Sequence, residues 1–127
     1  MFSPNLRLQR PLEDFIDIWE KLTPRTLPLL QDLLSFDVVF EDPYFRVQGW
    51  SDVEKLLLHR SDFLESYRVV DFSLGRREQY ASFIWVNGDL EGTTVLVFSL
   101  ENEISFISEY WGEHRDVAFK KYQRFKL

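Results

Sequence analysis

The sequence predicts an α+β fold in which three helices come first and a mostly antiparallel sheet follows. Before residue 66, three segments carry apolar residues at helical spacing, whereas residues 67–112 have the patterns of strands and no further helical pattern. This order is typical of domains whose helices lie on one face of a sheet. Long strands with bulges would curl that sheet around the helices and leave a cavity between the two layers.

The first helix is predicted by a strongly amphipathic pattern that begins near Pro11, a residue that the first turn of a helix tolerates. Acidic residues take the opposite face, and the helix dipole favours them near the N-terminus. The apolar stripe of this helix consists of Leu12, Phe15, Ile16, Trp19 and Leu22.

A second, shorter helix and the first strand follow. Thr23 and Pro24 have the pattern of an N-cap and a first helical residue. The stripe after them consists of Leu27, Leu30, Leu33 and Leu34, and Pro28 leaves two alternatives: either the helix tolerates this proline near its start, or its regular part begins only around Leu27. A β-branched and aromatic strand over residues 38–43 ends at Pro43, because proline cannot donate a hydrogen bond to a neighbouring strand. The carboxyl group of Asp42 is therefore expected at a strand end, in apolar surroundings.

The third helix is predicted to begin at a capping box made by Ser51 and Glu54. Its apolar stripe consists of Val53, Leu56, Leu57, Phe63 and Leu64. At 100° per residue, Arg60 lies near the middle of this stripe and His59 lies at its edge. A long cation on the apolar face of a helix is unusual and calls for an interpretation.

Two interpretations of Arg60 are open. The one we favour has its aliphatic stem lying along the core and its guanidinium in water. In the other, the guanidinium faces a pocket and is buried, which requires a carboxylate partner. The candidate partners are Asp42 and Glu109.

The segments after the helices predict four more strands and a short C-terminal helix. The strands are residues 67–75, 80–86, 93–100 and 104–111. Residues 80–86 are almost continuously apolar, so both faces of this strand are expected to be covered. The stripe of the C-terminal helix consists of Ala118, Tyr122 and Phe125.

Two turn signals compete for the hairpin that follows residues 80–86. Asn87-Gly88 is the stronger local signal. A turn at Glu91-Gly92 would instead give two long, matched strands with Asn87-Gly88 as a bulge. We favour the turn at Glu91-Gly92.

Composition and length are those of one folded domain, with 127 residues of which 45% are hydrophobic and 28% charged. Aromatic residues reach 17%, with twelve Phe, five Tyr and four Trp, which favours a Phe-rich core and also a pocket or interface lined by rings. The absence of cysteine excludes disulfide and thiolate chemistry. Two histidines without cysteine argue against a zinc site, and no glycine-rich phosphate loop occurs, so no metal or cofactor is expected.

The charge and hydropathy patterns limit the classes of partner that can be expected. Fifteen Lys plus Arg against 21 Asp plus Glu give a net charge of −6, which speaks against nucleic-acid binding. No apolar run reaches membrane-spanning length and no signal-peptide pattern opens the sequence. We therefore expect no membrane span and a cytoplasmic location.

Three stretches carry a resemblance to a known superfamily. They are the link between the first two helices at residues 22–27, the strand and Asp-Pro turn at residues 37–49, and Glu109-Tyr110-Trp111 in the last strand. In this order the chain resembles the nuclear transport factor 2-like superfamily, most of all its SnoaL-like and ketosteroid isomerase-like branch. The resemblance extends from about residue 12 to residue 125. It implies one domain over residues 1–127, a cone-shaped barrel of three helices packed in a strongly curved, mostly antiparallel sheet.

The resemblance also implies a ligand and a dimer. Ligands of such folds enter the cone between helices and sheet, so an apolar or aromatic small molecule is the expected partner. Dimers of such folds commonly form through the outer face of the sheet, so a homodimer is expected as well. The superfamily includes enzymes and also domains with no chemistry, so the fold alone assigns no activity.

Asp42 matches the position at which ketosteroid isomerases carry their general base. A carboxylate in an apolar cone is expected to have a raised pKa, which improves its basicity. The oxyanion hole of those isomerases needs a tyrosine on the first helix and a protonated aspartate on a late strand. Here the first helix offers Phe15 and Trp19, and residues 93–99 contain no acid, so steroid isomerisation is not expected.

The candidate site has Asp42 as catalytic base or polar anchor and Arg60 as its electrostatic partner. The other expected pocket residues are Trp19, Tyr44, His59, Trp85, Glu109 and Tyr110. We expect a small-molecule-binding domain, with isomerase, cyclase or hydratase chemistry at Asp42 as one interpretation. The alternatives are a ligand-binding domain without turnover and a dimeric interaction module.

Overall fold

The computed structural model describes residues 6–75, 79–112 and 122–126, apart from the side chain of Leu6. In these ranges a short 3-10 turn, Leu6–Leu8, precedes the helices α1 (Gln9–Trp19), α2 (Leu27–Gln31) and α3 (Trp50–Ser61). The strands are β1 (Leu34–Glu41), β2 (Arg46–Gln48), β3 (Arg68–Leu74), β4 (Tyr80–Asn87), β5 (Leu90–Phe98) and β6 (Ile104–Trp111).

The six strands form one sheet in the order β2-β1-β6-β5-β4-β3, in which only the β1–β6 pair is parallel. Register shifts interrupt the β1–β6, β3–β4 and β5–β6 pairs, and such irregularities bend strands. Helix α1 contacts the sheet at two separate strands, since Phe15 packs on Phe83 of β4 and Trp19 packs on Phe40 of β1. The curved sheet therefore surrounds the helices on one face. The predicted α+β cone is confirmed.

The core lies between the helices and the concave face of the sheet. The predicted stripe of α1 is buried at Leu12, Phe15, Ile16 and Trp19, and that of α3 at Val53, Leu56 and Leu57. Burying one such side chain stabilises the fold by about 1.5–3 kcal/mol. The strands contribute the opposite wall, which includes Phe40, Phe83, Trp85, Leu96 and Ile107.

The start of α3 differs from the prediction. Gly49, with φ of 87°, is the N-cap, and no side chain caps this end. The predicted capping box of Ser51 and Glu54 is therefore wrong. The reason lies in the chain path, because the Gly49 amide still donates to the Val38 carbonyl at 2.8 Å while its own carbonyl accepts the first helical bond from Val53. This reversal needs a left-handed backbone that glycine adopts at little cost.

Helices α2 and α3 were also predicted to extend further than they do. Helix α2 has five residues with Thr26 as N-cap, so Thr23 does not cap it, and the alternative that the regular helix begins around Leu27 is confirmed. Leu34 belongs to β1 and pairs with Ile104 of β6. The last two residues of the predicted α3 stripe lie beyond Ser61, where the helix ends. Pairing with β6 offers Leu34 a hydrogen-bonded strand, which a helix as short as α2 cannot match.

The hairpin between β4 and β5 turns at Gly88 and Asp89, so the favoured turn at Glu91-Gly92 is wrong. Gly88 has a φ of 61°, a conformation that two-residue hairpin turns require and that glycine supplies. Gly92 instead lies inside β5 opposite Trp85. A Cβ atom at Gly92 would overlap the Trp85 ring, so this glycine makes room for the indole.

No element in the described part of the chain covers the convex face of the sheet. Tyr80 and Ile84 of β4 are 44% and 38% exposed, so the prediction that both faces of this strand are covered is wrong for the isolated chain. The reason is that α1, α2 and α3 lie on the concave face. None of the helices in the described part of the chain is long and apolar enough to cross a bilayer.

The predicted C-terminal helix falls mostly on residues outside the described ranges. Its two later stripe residues are described, and both pack on the body of the domain as predicted. Tyr122 is fully buried, and Phe125 is half-buried with its ring 5.8 Å from that of Phe45. The C-terminal end of the chain thus contributes to the core.

Candidate functional site

Asp42 directly follows β1 and begins the turn that leads to β2. Its amide donates to the Phe45 carbonyl at 2.9 Å, and its Oδ1 accepts from the amides of Tyr44 and Phe45 at 2.8 Å each. Pro43 has no amide to donate, and an aspartate side chain commonly closes such a turn by bonding to the backbone two residues on. This geometry fixes the carboxyl group, which is buried as predicted, with only 6% of the residue exposed.

The second carboxylate oxygen of Asp42 faces Tyr122. The phenolic hydroxyl of Tyr122 donates to Oδ2, and no other described residue does so. Asp42 thus presents one oxygen to the backbone and one to a ring in the interior. The arrangement resembles a polar anchor with its ligand in place, except that the ring belongs to the chain itself.

The Tyr122 ring lies in an aromatic slot. It stacks on His59 of α3 at 5.2 Å and 9°, and on Trp111 of β6 at 5.8 Å and 26°. The edge-on walls of the slot are Tyr44, Phe45 and Phe63. His59 also donates through Nε2 to the Tyr122 carbonyl at 3.0 Å, which fixes the imidazole tautomer because a carbonyl only accepts.

Burial sets the protonation behaviour of this pair. Loss of hydration raises the pKa of Asp42, although the hydrogen bonds from Tyr122, Tyr44 and Phe45 oppose that effect. The negative charge of Glu109 raises it further. Burial and the Asp42 charge also raise the pKa of the Tyr122 phenol, so this hydroxyl remains a donor.

Arg60 is fully buried and pairs with Glu109, so the expectation that its guanidinium reaches water is wrong. Nη2 of Arg60 donates to both Glu109 oxygens, at 2.7 Å and 2.8 Å, and Nε donates to Oε1 at 3.1 Å. The side chains are 3% and 0% exposed. Burial is the largest effect on the pKa of Arg60 and lowers it, but the charge and hydrogen bonds of Glu109, together with Tyr67 and Tyr122, outweigh burial and raise this pKa overall.

The partners of Glu109 continue into the sheet. Thr94 of β5 donates to Oε2 at 2.7 Å and accepts from Trp85 Nε1 at 3.0 Å. The Trp111 indole also donates to Oε1, at 3.4 Å. A buried ion pair with this many hydrogen bonds satisfies most of the polar groups it brings into the core.

Aromatic rings enclose the Arg60 guanidinium on its other sides. Its Cζ lies 4.7 Å from the ring centroid of Trp19, 5.3 Å from that of Tyr67 and 6.0 Å from that of Phe40. Trp19 Nε1 in turn donates to the Tyr67 hydroxyl at 2.9 Å. Such faces attract a cation, most strongly where water is excluded.

The predicted site residues therefore divide into two neighbouring clusters and one outlier. Trp19, Arg60, Trp85 and Glu109 belong to the ion-pair cluster, whereas Asp42, Tyr44 and His59 surround Tyr122. Tyr110 was predicted as a pocket wall and is instead 61% exposed on the convex face. Neighbouring residues of a strand point to opposite faces, so Tyr110 cannot accompany Glu109 inward. The predicted partnership of Arg60 with Asp42 is also wrong, because Arg60 is bound to Glu109.

Three residues of these clusters were not predicted as site residues. Tyr122 was expected only to pack on the body, and its bond to Asp42 joins residues 80 positions apart in sequence. Thr94 and Tyr67 lie in segments with the pattern of strands, and that pattern does not indicate that either residue belongs to a functional site. The alternation of β5 places Thr94 on the buried face, which is the one signal that points to it.

A cleft of about 260 Å³ opens beside the ion-pair cluster. Its lining includes Trp19, Lys21, Thr23, Arg60 and Tyr67. Within the described ranges, no group of three or more His, Cys, Asp or Glu side chains is placed to hold a metal ion.

Comparisons with known proteins identify solved structures that share this fold. No protein-family model and no curated protein matches the sequence. Solved structures do match over most of the chain. A SnoaL-like protein of unknown function from Burkholderia thailandensis superposes with a TM-score of 0.70, at 10% identity, over 87% of this chain and 100% of the other.

The chain has the cone fold of the SnoaL-like proteins. A steroid delta-isomerase from Pseudomonas aeruginosa also has this fold, with a TM-score of 0.68 and 17% identity over 97% of this chain and 90% of its own. A de novo designed protein with a curved β-sheet matches equally well, at a TM-score of 0.68 and 16% identity over 96% and 95% of the two chains. The resemblance inferred from the sequence is thus confirmed for the fold. Because the fold includes an enzyme and a designed protein, it assigns no activity by itself.

Proposed function

We propose that this chain binds a small apolar or aromatic molecule in the cone between helices and sheet, with Asp42 as the polar anchor. The observation that carries the proposal is a buried carboxylate that keeps one oxygen for a partner in the interior. Oδ1 is engaged by the amides of Tyr44 and Phe45, whereas Oδ2 meets only the Tyr122 hydroxyl among the described residues. A ligand hydroxyl can take the place of that phenol.

The walls around Asp42 support an apolar ligand. The Tyr122 ring, which faces Asp42, is contacted by the rings of His59, Trp111, Phe45 and Phe63. Pockets for small molecules commonly combine such apolar walls with a few well-placed polar groups. Each Å² of apolar ligand surface buried here would contribute about 25 cal/mol to binding, before the costs of association. One solved structure with this fold is a steroid delta-isomerase, and steroids are apolar ring systems.

For any proton transfer in the cone we assign the general base to Asp42. A raised pKa makes a carboxylate a better base near neutral pH, and burial raises the pKa of Asp42. Arg60 takes no part in this assignment, because Glu109 already neutralises its charge. An activity at Asp42 would therefore depend on its own basicity and on the hydrogen-bond donors of the bound molecule.

The experiment compares three proteins against a panel of single- and fused-ring compounds, with and without a hydroxyl group. They are the wild type, Asp42→Asn and the control Asp37→Asn, which alters an exposed acid on β1. Binding is followed by thermal shift and by calorimetry. We expect wild type and control to bind at least one ring compound equally, and Asp42→Asn to bind it about tenfold more weakly or worse. Equal affinity of all three proteins for every compound would refute the role of Asp42.

A second candidate function is self-association through the convex face of the sheet, which the exposed side chains of that face favour. Tyr80, Ile84, Val97 and Tyr110 are 38–61% exposed, and strand pairing places all four on one face. We propose that a second copy of the chain covers this apolar patch, as dimers of the resembling superfamily do. Contiguous exposed apolar surface of this kind commonly marks an interface.

Sedimentation at micromolar concentration tests the dimer. The wild type and the control Leu29→Lys, which lies 55% exposed on α2, are expected to sediment as dimers. Val97→Lys is expected to sediment as a monomer, since a charge within an apolar interface is costly to desolvate. A monomeric wild type would overturn this candidate and would leave the ligand proposal untouched.

A further inference from the structure

The position of Tyr122 specifies the chemistry of the ligand. Its side chain has three properties of a bound molecule: the ring is stacked between His59 and Trp111, the residue is fully buried, and its hydroxyl donates to Asp42. We infer that Tyr122 is an internal occupant of the ligand site, and that the ligand is a planar ring with a hydroxyl group, as in a phenol, that displaces it. This inference rests on the proposed function and names the ligand class.

The anchor stays in place when the phenol leaves. Oδ1 of Asp42 is held by two backbone amides of its own turn, neither of which depends on Tyr122. Oδ2 therefore continues to point into the slot, and once the Tyr122 hydroxyl withdraws no other described residue donates to it. A buried acceptor left without a partner is costly, so the empty slot discriminates strongly in favour of molecules that donate a hydrogen bond.

Each ring wall also has contacts that do not involve the Tyr122 side chain. His59 also stacks on Phe125 at 5.0 Å and contacts Phe63, and Trp111 contacts the rings of Tyr44 and Trp85. The two stacking faces are thus supported from other sides. A flat ring fits between them, whereas a saturated chain or a bulky branched molecule would lose the stacking.

Competition with Tyr122 determines the apparent affinity. When the binding-competent state is only partly populated, the apparent dissociation constant rises by the inverse of that population. Removing the Tyr122 hydroxyl weakens the internal occupant, and removing its ring empties the slot. Affinity for a phenol should therefore increase from wild type to Tyr122→Phe to Tyr122→Ala.

The experiment titrates full-length proteins with 4-methylphenol, toluene and 4-methylbenzylamine, using calorimetry and ligand-observed NMR. Circular dichroism identifies variants that remain folded, and Tyr122→Phe retains the ring in case Tyr122→Ala unfolds. We expect 4-methylphenol to bind Tyr122→Phe more tightly than wild type, and Tyr122→Ala about tenfold more tightly than wild type or better. We expect toluene to bind Tyr122→Ala at least about tenfold more weakly than the phenol does, and Asp42→Asn in that background to abolish the difference.

The outcomes separate the two proposals. Equal affinity for phenol and toluene overturns the hydroxyl class and leaves a ring-binding cone. Tighter binding of the amine overturns the hydroxyl class in favour of a cation. Phenol binding that is indifferent to Tyr122 overturns the displacement and leaves a ligand elsewhere in the cone. If no folded variant binds any of the three probes or any compound of the ring panel, the proposed function fails as well.

Discussion

Tyr122 donates a hydrogen bond to Asp42 across 80 residues of sequence, and this contact connects the C-terminal end of the chain to the end of β1. It combines a buried phenol with a carboxylate whose other oxygen already closes a backbone turn. The contact explains how an acid can lie 6% exposed among rings with no basic partner among the described residues. Three backbone and side-chain donors serve it instead.

Tyr122→Phe removes this hydroxyl and keeps the ring. We expect the free energy of unfolding to fall by about 1.5–3 kcal/mol, because a buried hydrogen bond to a carboxylate is lost and the carboxylate cannot be rehydrated. Urea denaturation measures the change. The matched control is Tyr80→Phe on the exposed convex face, which should change stability by less than about 0.5 kcal/mol. Equal effects of the two substitutions would mean that the Tyr122 hydroxyl contributes nothing.

The Arg60–Glu109 pair gives a second prediction. Arg60→Met leaves the Glu109 charge buried with only neutral donors among the described residues, and we expect a loss of about 3–5 kcal/mol in the free energy of unfolding. The double variant Arg60→Met, Glu109→Leu should be more stable than the single variant, since no unpaired charge remains. Equilibrium denaturation of both variants decides the point.

The exposed pair of Arg46 and Glu41 is the control for that prediction. Their side chains are 63% and 36% exposed, with the charged atoms 2.8 Å apart. Glu41→Gln should cost less than about 1 kcal/mol. A loss at Arg60 no larger than this value, or a double variant no more stable than Arg60→Met, would show that the pair is not isolated from water in solution.

The raised pKa of Asp42 predicts a pH dependence of stability. The folded state holds a proton at Asp42 over a pH range in which the unfolded chain, with an ordinary value near 3.8, has released it. The stability of wild type relative to Asp42→Asn should therefore be greatest below that value and should be lost as pH rises through the raised folded pKa. Urea denaturation of both proteins from about pH 4 to about pH 8 measures the difference. A difference that is flat or grows with pH would contradict the assignment.

Gly92 offers a prediction about packing. A Cβ atom there would overlap the ring of Trp85, which is fully buried and bonded to Thr94. Gly92→Ala should therefore cost about 1–3 kcal/mol and change the near-ultraviolet circular dichroism of the indole. Thr93→Ala, at the next position on the other face of β5, should leave that spectrum unchanged. An unchanged spectrum for Gly92→Ala would mean that the sheet accommodates the methyl group.

Much of the fold is encoded locally and could be predicted. The apolar stripe of α1 and the β-branched segments of the strands follow from periodicity, and these specify helices on one face of a sheet. The boundaries could not be predicted as well, since they depend on distant partners. Leu34 leaves the helical pattern because Ile104 pairs with it, and α3 begins at Gly49 because the Val38 carbonyl holds that residue. Periodicity contains no information on such contacts.

The candidate site shows the same division. The turn at Asp42 follows from Pro43 and the strand before it, and the sequence correctly predicts a buried carboxyl group there. Helical periodicity placed Arg60 on the apolar face of α3. Its partner, Glu109, is 49 residues away, so the sequence could not decide between the two candidate carboxylates. Tyr122 could be predicted only to pack, because a hydroxyl on a buried face has no local signature.

The most direct test of the account follows the Tyr122 ring by NMR while a ligand binds. Wild-type protein with ¹³C-labelled tyrosine rings is titrated with 4-methylphenol, and the spectrum of Tyr122→Phe identifies the Tyr122 signals. We predict that the signals of the buried Tyr122 decline as the ligand saturates and are replaced by those of a solvent-exposed ring. Saturating binding with unchanged Tyr122 signals, or no binding at millimolar phenol, would contradict the claim that a ring hydroxyl takes its place on Asp42.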